Sequence, residues 1–163
     1  MEQDQRTPPS AFREMIARFA QPGRVAQIWL RPERLAAPVA VDAAELGAAG
    51  LAGDHARPGK RALTLIQAEH LPVVAAMLGV ETVDPALLRR NLVVSGINLS
   101  ALKGRRVAIG AAVVEITTVC APCSRMESAL GYGGYSAMRG HGGVCAWVES
   151  GGEIAVGSAV TPL

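Results

Sequence analysis

The chain has 163 residues, a length typical of one domain with its own hydrophobic core. Half of the residues are hydrophobic but only 4% are aromatic, and 18 glycines with 10 prolines favour short strands joined by many turns. A net charge of +2, without a long run of lysine or arginine, argues against a nucleic-acid-binding protein.

The cellular setting is also constrained by composition. We find no export signal at the start of the sequence and no apolar stretch long enough to cross a membrane, so a cytoplasmic protein is expected. In a reducing compartment, three cysteines are more often free, metal-bound or catalytic than paired in disulfides.

Residues 1–22 are predicted to be a polar tail followed by a short amphipathic helix. Ser10 is a suitable N-cap for a helix over residues 11–20, which Pro22 and Gly23 end. Four apolar side chains lie on one face of this helix, at Phe12, Met15, Ile16 and Phe19. We expect the helix to pack as an arm on the domain, or on a second copy in a homodimer, and residues 23–163 to form a single domain.

A strand over residues 24–31 is followed by another strand, a polar glycine-rich loop, and a strand near residues 62–66. The loop, residues 53–61, carries five polar side chains between its glycines: Asp54, His55, Arg57, Lys60 and Arg61. Cations and backbone N–H groups in this arrangement suit a phosphate or another anion. The alternative is an ordinary solvated hairpin loop.

Two helices and an apolar strand are predicted next. The first helix covers residues 67–78, and Asp84 with Pro85 forms an N-cap and first-turn pair for the second. The second helix is expected to bring three polar side chains to the start of the strand: Arg89, Arg90 and Asn91. Two guanidinium groups and a carboxamide suit a phosphate and a ring edge, while a solvated helix end is the alternative.

A hairpin that turns at Gly110 leads into a strand ending at a C-x-x-C pattern. Pro122 ends the strand, and Ser124 and Glu127 have the spacing of a capping box, so we predict Cys123 immediately before a helix N-terminus. Unpaired N–H groups and the helix dipole there favour a thiolate. The alternative is a small buried cysteine at a strand end.

Glycine is so frequent in residues 131–143 that we predict a permissive loop. The loop holds Tyr132, Tyr135, Arg139 and His141, which a ligand could contact, and a merely flexible loop is the alternative. Two strands follow, with the sequences VCAWVE and EIAV, joined at residues 150–152.

Three motifs, in this order along the chain, carry a resemblance to a known family. They are the strand beginning RRNLVVSGINL, the segment that starts at LKG and runs through VVEIT to APC, and the ending RGHGGVCAWVESGGEIAVGSAV. Together they resemble the MOSC family, whose domains are similar to the C-terminal part of molybdenum cofactor sulfurases. The loop GDHARPGKRALTLI also resembles a family element, and the match covers roughly residues 24–160.

The resemblance implies a mainly β fold, a MOSC-like β-barrel with a few peripheral α-helices. It also implies that the protein binds molybdenum cofactor, with Cys123 as the molybdenum ligand, and reduces N-hydroxylated compounds with electrons from separate proteins. A persulfide sulfur carrier is the alternative within the family, and a cysteine desulfurase-like protein would then be its sulfur donor.

Roles for other residues follow from the same resemblance. The candidates for binding the pterin phosphate are Arg61, Arg89, Arg90 and Asn91. His55 and His141 are candidate proton donors, because the pKa of an unperturbed histidine lies near neutrality. Four further residues are assigned to the cofactor site: Asp54, Thr118, Cys120 and Arg139.

Cys120 departs from the family pattern, since many members have an arginine or a small polar residue shortly before the P-C motif. It would resolve a persulfide, shield the metal, or simply pack. Two alternatives from other classes remain open. One is a non-enzymatic module for a phosphorylated ligand, and the other is a structural zinc site formed by Cys120, Cys123, His141 and Cys145.

Overall fold

Seven strands form a closed barrel within residues 10–163, the part of the chain that the computed structural model describes. In order around the barrel they are β1 (Gly23–Leu30), β6 (Leu92–Ser95), β5 (Leu63–Gln67), β9 (Val144–Ser150), β8 (Ala112–Val119), β7 (Arg106–Ile109) and β11 (Ala159–Pro162). The barrel closes where β11 pairs with β1, with Val160 opposite Gly23. A short strand, β2 (Val39–Val41), adds to the free part of β1. The predicted mainly β barrel is confirmed.

A separate small sheet contains β3 (Ala43–Gly47), β4 (Gly50–Leu51) and β10 (Gly152–Ala155). The sequence predicted β9 and β10 as neighbours joined by a glycine turn. Their bounds are close to the prediction, but β10 pairs with β3, placing Ile154 opposite Ala44. Gly151 permits this change of sheet, because a Cβ there would overlap the carbonyl oxygen of Leu46.

The barrel interior is filled by aliphatic side chains that alternate along the strands. On β8, Val114 and Ile116 are fully buried while Glu115 and Thr117 are half-buried, which is the period of two that predicted this strand. A second apolar cluster lies between the barrel and the helices; it consists of Ile66, Val74, Leu88, Val93, Met126, Ala137 and Met138. The barrel wall at β5 and β6 is therefore buried on both sides.

The helices are short and peripheral, as predicted. They are α1 (Ala11–Ile16), α2 (His70–Leu78), α3 (Pro85–Leu88), α4 (Ser124–Leu130) and α5 (Gly134–Met138), with a single 3₁₀ turn at Leu99–Leu102. The predicted caps at Ser10 and Asp84 are confirmed, since each side chain accepts a hydrogen bond from a first-turn N–H group. Among residues 10–163, no helix combines the length and apolar character needed to cross a membrane.

The predicted packing of α1 on the domain is wrong. The helix ends at Ile16, and its apolar side chains Phe12, Met15 and Ile16 are exposed. Phe19, beyond the helix, packs against the barrel core, with the Arg105 guanidinium 5.6 Å from the centre of its ring. Packing of α1 on a second copy stays a prediction, and the predicted polar tail over residues 1–9 lies outside the described residues.

The predicted loop over residues 131–143 is also wrong in part, because it contains α5. A Cβ on Gly134 would lie 2.6 Å from the Met126 carbonyl oxygen, so the glycine permits close packing of α5 on α4. This segment is therefore a packed helical turn rather than a flexible connection.

Candidate functional site

Cys123 is exposed and is the N-cap residue of α4. Its backbone is extended and its side chain makes no capping hydrogen bond. The predicted position of Cys123 at a helix N-terminus is confirmed, but the predicted capping box is wrong. The Glu127 carboxylate accepts hydrogen bonds from the N–H groups of Gly133 and Tyr135 instead, which lowers its pKa. The Cys123 sulfur is thus available to ligate a metal or to be modified.

Cys120 immediately follows β8 and is only 3% exposed. Its N–H group donates to the carbonyl of Gly143 at 2.8 Å, and on the adjacent strand Cys145 lies opposite Thr118. Residues 118, 120 and 145 therefore share one face of the sheet, which brings the thiols of Cys120 and Cys145 together.

The two buried sulfurs have opposite protonation tendencies. A hydrogen bond from the Cys145 thiol lowers the pKa of Cys120, and the charges of Arg90 and Arg61 lower it further against the effect of burial. The same hydrogen bond, together with burial, raises the pKa of Cys145. Loss of a proton is therefore favoured at Cys120 and disfavoured at Cys145. The sequence predicted thiolate character for Cys123 only.

Arg90 is 9% exposed and is fixed by backbone carbonyls. Its Nε donates to Gly142 at 2.8 Å and its Nη1 donates to Leu88 at 2.7 Å. Arg90 thus anchors the segment after α5 and supplies a positive charge next to Cys120. Its predicted role as a phosphate ligand stays a prediction.

Asp54 binds the Arg31 side chain with two hydrogen bonds, a contact that the sequence did not predict. The Arg31 Nη2 and Nε atoms lie 2.8 and 3.1 Å from the two carboxylate oxygens, and the Asp54 side chain has no exposed surface. Burial raises the pKa of Asp54, but the hydrogen bonds and charge of Arg31 outweigh it and hold this pKa below its usual value. Asp54 therefore fixes the direction of a guanidinium group.

Asn91 is fully buried inside the network that joins three barrel strands. Its carboxamide oxygen accepts hydrogen bonds from the N–H and hydroxyl of Thr64, and its nitrogen donates to the carbonyl of Trp29. The predicted contact of Asn91 with the ring edge of a ligand stays a prediction. In the structure its carboxamide oxygen and nitrogen are both already hydrogen-bonded within the protein.

Arg89 adopts a left-handed backbone conformation, with φ of 57°. Its guanidinium donates to three backbone carbonyls in the loop before β2, those of Glu33, Arg34 and Ala36. Arg89 therefore braces this loop, and its assignment to the pterin phosphate is likewise untested.

The predicted anion-binding loop lines a cavity of about 550 Å³. Seven residues form the lining: Arg31, His55, Ala56, Arg57, Pro58, Lys60 and Arg61. Four of these side chains are cations, and among residues 10–163 the only ion pair that involves them joins Arg31 to Asp54. This cationic cavity therefore has the charge that a phosphate or another anion requires.

Arg61 relates the cationic cavity to Cys120 through its charge. It lines the cavity, and its positive charge, like that of Arg90, helps to lower the pKa of Cys120. The anion-binding loop and the strand that leads to the C-x-x-C segment are also joined directly, because the Thr117 hydroxyl donates a hydrogen bond to the Lys60 carbonyl.

The two histidines assigned as proton donors lie in different surroundings. His55 lines the cationic cavity, and its Nδ1 is 2.6 Å from the Arg31 carbonyl oxygen. His141 instead meets His70 at the start of α2, edge to face, with ring centres 4.9 Å apart. Burial and the nearby His141 lower the pKa of His70.

Two further residues assigned to the cofactor site are peripheral to the cavity lining. Arg139 is exposed at the C-terminal end of α5, and Thr118 is half-buried on β8 opposite Cys145. Their roles remain predictions.

The alternative zinc site is wrong. Within residues 10–163, no group of three or more histidine, cysteine or acidic side chains is placed to hold one metal ion. Cys120 and Cys145 are buried together, whereas Cys123 is exposed and His141 contacts His70. The four residues therefore do not form the tetrahedral set that structural zinc requires.

The family model of the MOSC domain matches residues 48–161, which is more than half of the chain. The protein therefore belongs to the MOSC domain family. This family is associated with molybdenum cofactor binding and sulfurase-like function. The matched region includes the cationic loop, the C-x-x-C segment and the barrel strands from β5 to β11, and it ends within β11.

Several solved structures share the fold. YuaD from Bacillus subtilis superimposes with a TM-score of 0.76 at 18% identity, over 86% of this chain and 94% of that chain. YiiM from Geobacillus stearothermophilus gives 0.73 at 17% identity, over 87% and 75% of the two chains. YiiM from Escherichia coli gives 0.69 at 21% identity, over 86% and 69%. No curated protein matches the chain.

Proposed function

We propose that this protein binds molybdenum cofactor, with Cys123 as the thiolate ligand of molybdenum and the cationic cavity as the site for the cofactor's phosphate. The observation that carries this proposal is the exposed Cys123 at the N-terminus of α4, in a domain that also has a cavity lined by four cations. The reaction proposed for the loaded protein is reduction of N-hydroxylated compounds, with electrons from separate donor proteins.

The donor set suits this group. A thiolate sulfur is a soft ligand, and guanidinium and ammonium groups bind phosphate oxygens through charge-assisted hydrogen bonds. When bound, the cofactor would supply the two-electron redox chemistry. The chain's own residues bind and orient it.

Arg31 and His55 have defined roles in this proposal. Asp54 holds the Arg31 guanidinium in one orientation, so little side-chain freedom remains to be lost when an anion binds. Because a carbonyl only accepts hydrogen bonds, the His55 Nδ1 carries its proton toward Arg31. The other ring nitrogen, Nε2, is then the atom that takes up a proton and delivers it to a substrate.

Sulfur carriage is a second candidate function. It is supported by the exposed Cys123 thiol, on which a persulfide would be accessible to a partner protein. A cysteine desulfurase-like donor would supply the sulfur in that case.

Elemental analysis of protein from a host that makes molybdenum cofactor tests the first proposal. We expect the wild-type chain to retain molybdenum. The molybdenum content of Cys123→Ser should be lower by a factor of at least about ten, because the soft ligand is lost. Cys120→Ser is the matched control and should lose less. Equal molybdenum content in the wild type and Cys123→Ser would contradict the ligand assignment.

A further inference from the structure

A second cavity adjoins the cationic cavity on the outer face of the barrel wall. It has a volume of about 340 Å³ and is lined by Gly59, Lys60, Glu115, Thr117 and Trp147. Lys60 also lines the cationic cavity, so the two cavities meet at this side chain. The proposed molybdenum site does not use the second cavity, which we call the Trp147 groove.

The barrel holds the two cavities in a fixed relation. The Thr117 hydroxyl on β8 donates a hydrogen bond to the Lys60 carbonyl, which ties the cationic loop to the barrel wall. Trp147 on β9 lies opposite Glu115 on β8, and both side chains point outward, because the residues beside them along each strand face the barrel core. A group bound in the groove therefore lies next to an anion bound in the cationic cavity.

Trp147 supplies an aromatic surface for such a group. Its side chain is 42% exposed, although Ala146 and Val148 on either side of it are buried. Gly59 also lines the groove, and a Cβ at this position would have no neighbour within 4 Å, so this side of the groove is open. A flat heterocycle can stack on an exposed indole, and every nucleobase has such a face.

The Glu115 carboxylate selects the edge of that ring. The cation opposite it on β7 is Arg106, which is already bound to Glu149 by two hydrogen bonds. None of the ion pairs within residues 10–163 involves Glu115. An ionised carboxylate only accepts hydrogen bonds, and guanine presents two adjacent donors, its N1–H and its amino group. Adenine has an acceptor nitrogen at the position of N1–H, which a carboxylate repels.

The cationic cavity suits the phosphates of the same ligand. Arg31 is paired with Asp54, whereas no ion pair in the described part of the chain involves the other three cations, Arg57, Lys60 and Arg61. A diphosphate carries more negative charge and more acceptor oxygens than a single phosphate. Three cations without a counter-charge therefore suit a diphosphate better.

We propose that the Trp147 groove and the cationic cavity together bind a guanine nucleotide with a diphosphate group. The base stacks on Trp147 and donates two hydrogen bonds to Glu115, and the diphosphate lies among the cations beyond Lys60. Two sources share this chemistry: free guanosine diphosphate, and a guanosine phosphate joined to the phosphate of the proposed cofactor. The first would compete with the cofactor's phosphate for the cavity. The second rests on the proposed function.

The test uses the full-length protein from a host that makes molybdenum cofactor. One part of the sample is denatured, and the released molybdenum and guanine nucleotides are measured by mass spectrometry. The other part is titrated with guanosine diphosphate in a calorimeter. A free nucleotide predicts saturable binding in the titration, and a joined nucleotide predicts a guanosine phosphate attached to the released cofactor.

Failure of this proposal is distinct from failure of the proposed function. A sample that neither binds guanosine diphosphate nor releases a guanine nucleotide would overturn the guanine-nucleotide site, even if it contained molybdenum. Saturable binding of guanosine diphosphate by protein without molybdenum would support the site and contradict only the proposed function.

Analogues of the ligand test the contact with Glu115. Inosine diphosphate lacks the amino group of guanine and should bind about tenfold more weakly than guanosine diphosphate, because one hydrogen bond to a charged group is lost. Adenosine diphosphate should bind more weakly still. Equal affinities for the guanine and adenine nucleotides would overturn the assignment of Glu115.

Variants test the groove itself, by affinity for guanosine diphosphate or by the nucleotide retained with the cofactor. Trp147→Leu and Glu115→Gln should each weaken binding about tenfold, and Glu115→Gln should also reduce the preference for guanine over hypoxanthine. Lys60→Gln should weaken binding about fivefold. Glu153→Gln and Lys103→Gln are the matched controls, because both residues are exposed and line neither cavity. Wild-type binding by Trp147→Leu and Glu115→Gln would place the nucleotide elsewhere and overturn the proposal.

Discussion

At the scale of single residues, Asp54 shows how a buried charge fixes the geometry of the site. Its carboxylate is inaccessible to solvent, and a lone buried carboxylate would be strongly destabilising. Arg31 supplies the opposite charge and two hydrogen bonds, while the N–H groups of Arg31 and Ala56 donate two more. The pair therefore stabilises the loop and presents Arg31 at the cavity wall.

Asp54→Asn tests this pair. The change leaves Arg31 without its counter-charge and should lower the free energy of unfolding by about 3 kcal/mol at neutral pH. The pKa of Asp54 is lowered in the folded protein, so the pair's contribution is present above the usual carboxyl pKa of 3.8 and is lost as the pH falls through the lowered value. Urea unfolding at neutral and acidic pH measures the difference, which should shrink in acid.

Asp42→Asn is the control for the Asp54 measurement, because Asp42 is exposed and should change stability by less than about 0.5 kcal/mol. Asp54→Asn with wild-type stability at neutral pH would contradict the structural role of the ion pair.

The limits of prediction from sequence are also clearest at single residues. The position of Cys123 was predicted correctly from local signals for the end of a strand and the start of a helix, although the capping box among these signals does not form. Three consecutive residues were grouped in one predicted site: Arg89, Arg90 and Asn91. In the structure the backbone at Arg89 is left-handed, and the three side chains point to different places. Arg89 binds carbonyls of the loop before β2, Arg90 binds the Gly142 carbonyl, and Asn91 binds Thr64 in the barrel wall. Arg31 was missed because its partner is 23 residues away in sequence.

At the scale of elements, the glycines of residues 131–143 allow close packing. A Cβ on Gly142 would overlap the carbonyl oxygen of Cys120 and would lie 3.6 Å from Arg90 Nη2. The glycine content of this segment predicted a permissive loop, whereas the glycines in fact allow close packing. Flexible loops and tightly packed turns are equally rich in glycine, so the local sequence does not distinguish them.

Gly142→Ala measures the value of this packing. The added methyl group must displace the Cys120 backbone, so we expect the free energy of unfolding to fall by about 2 kcal/mol. Gly47→Ala is the matched control, because a Cβ there has its nearest neighbour 4.0 Å away. Urea unfolding compares the two variants, and equal stability would show that residues 131–143 are not tightly packed against the C-x-x-C segment.

At the scale of the whole molecule, the barrel depends on a pairing between the two ends of the described chain. Most strands were predicted from alternation of apolar residues, which is a local property. The pairing of β1 with β11, and the assignment of β10 to the small sheet, depend on contacts across more than a hundred residues. Local patterns contain no information on such partners, so the hairpin of β7 and β8 at Gly110 was predicted from the sequence, whereas these two distant pairings were not.

Val160 is the residue through which this closure can be tested, because it is completely buried and lies opposite both Gly23 and Ile109. Val160→Asp places an unpaired carboxylate inside the seam and should lower the free energy of unfolding by at least about 3 kcal/mol. The adjacent Thr161 is exposed, so Thr161→Asp adds the same charge on the outer face and should change stability by less than about 1 kcal/mol. Thermal and urea unfolding compare them. If the two variants were equally stable, β11 would contribute little to the fold, and the barrel would be held by its other strand pairs.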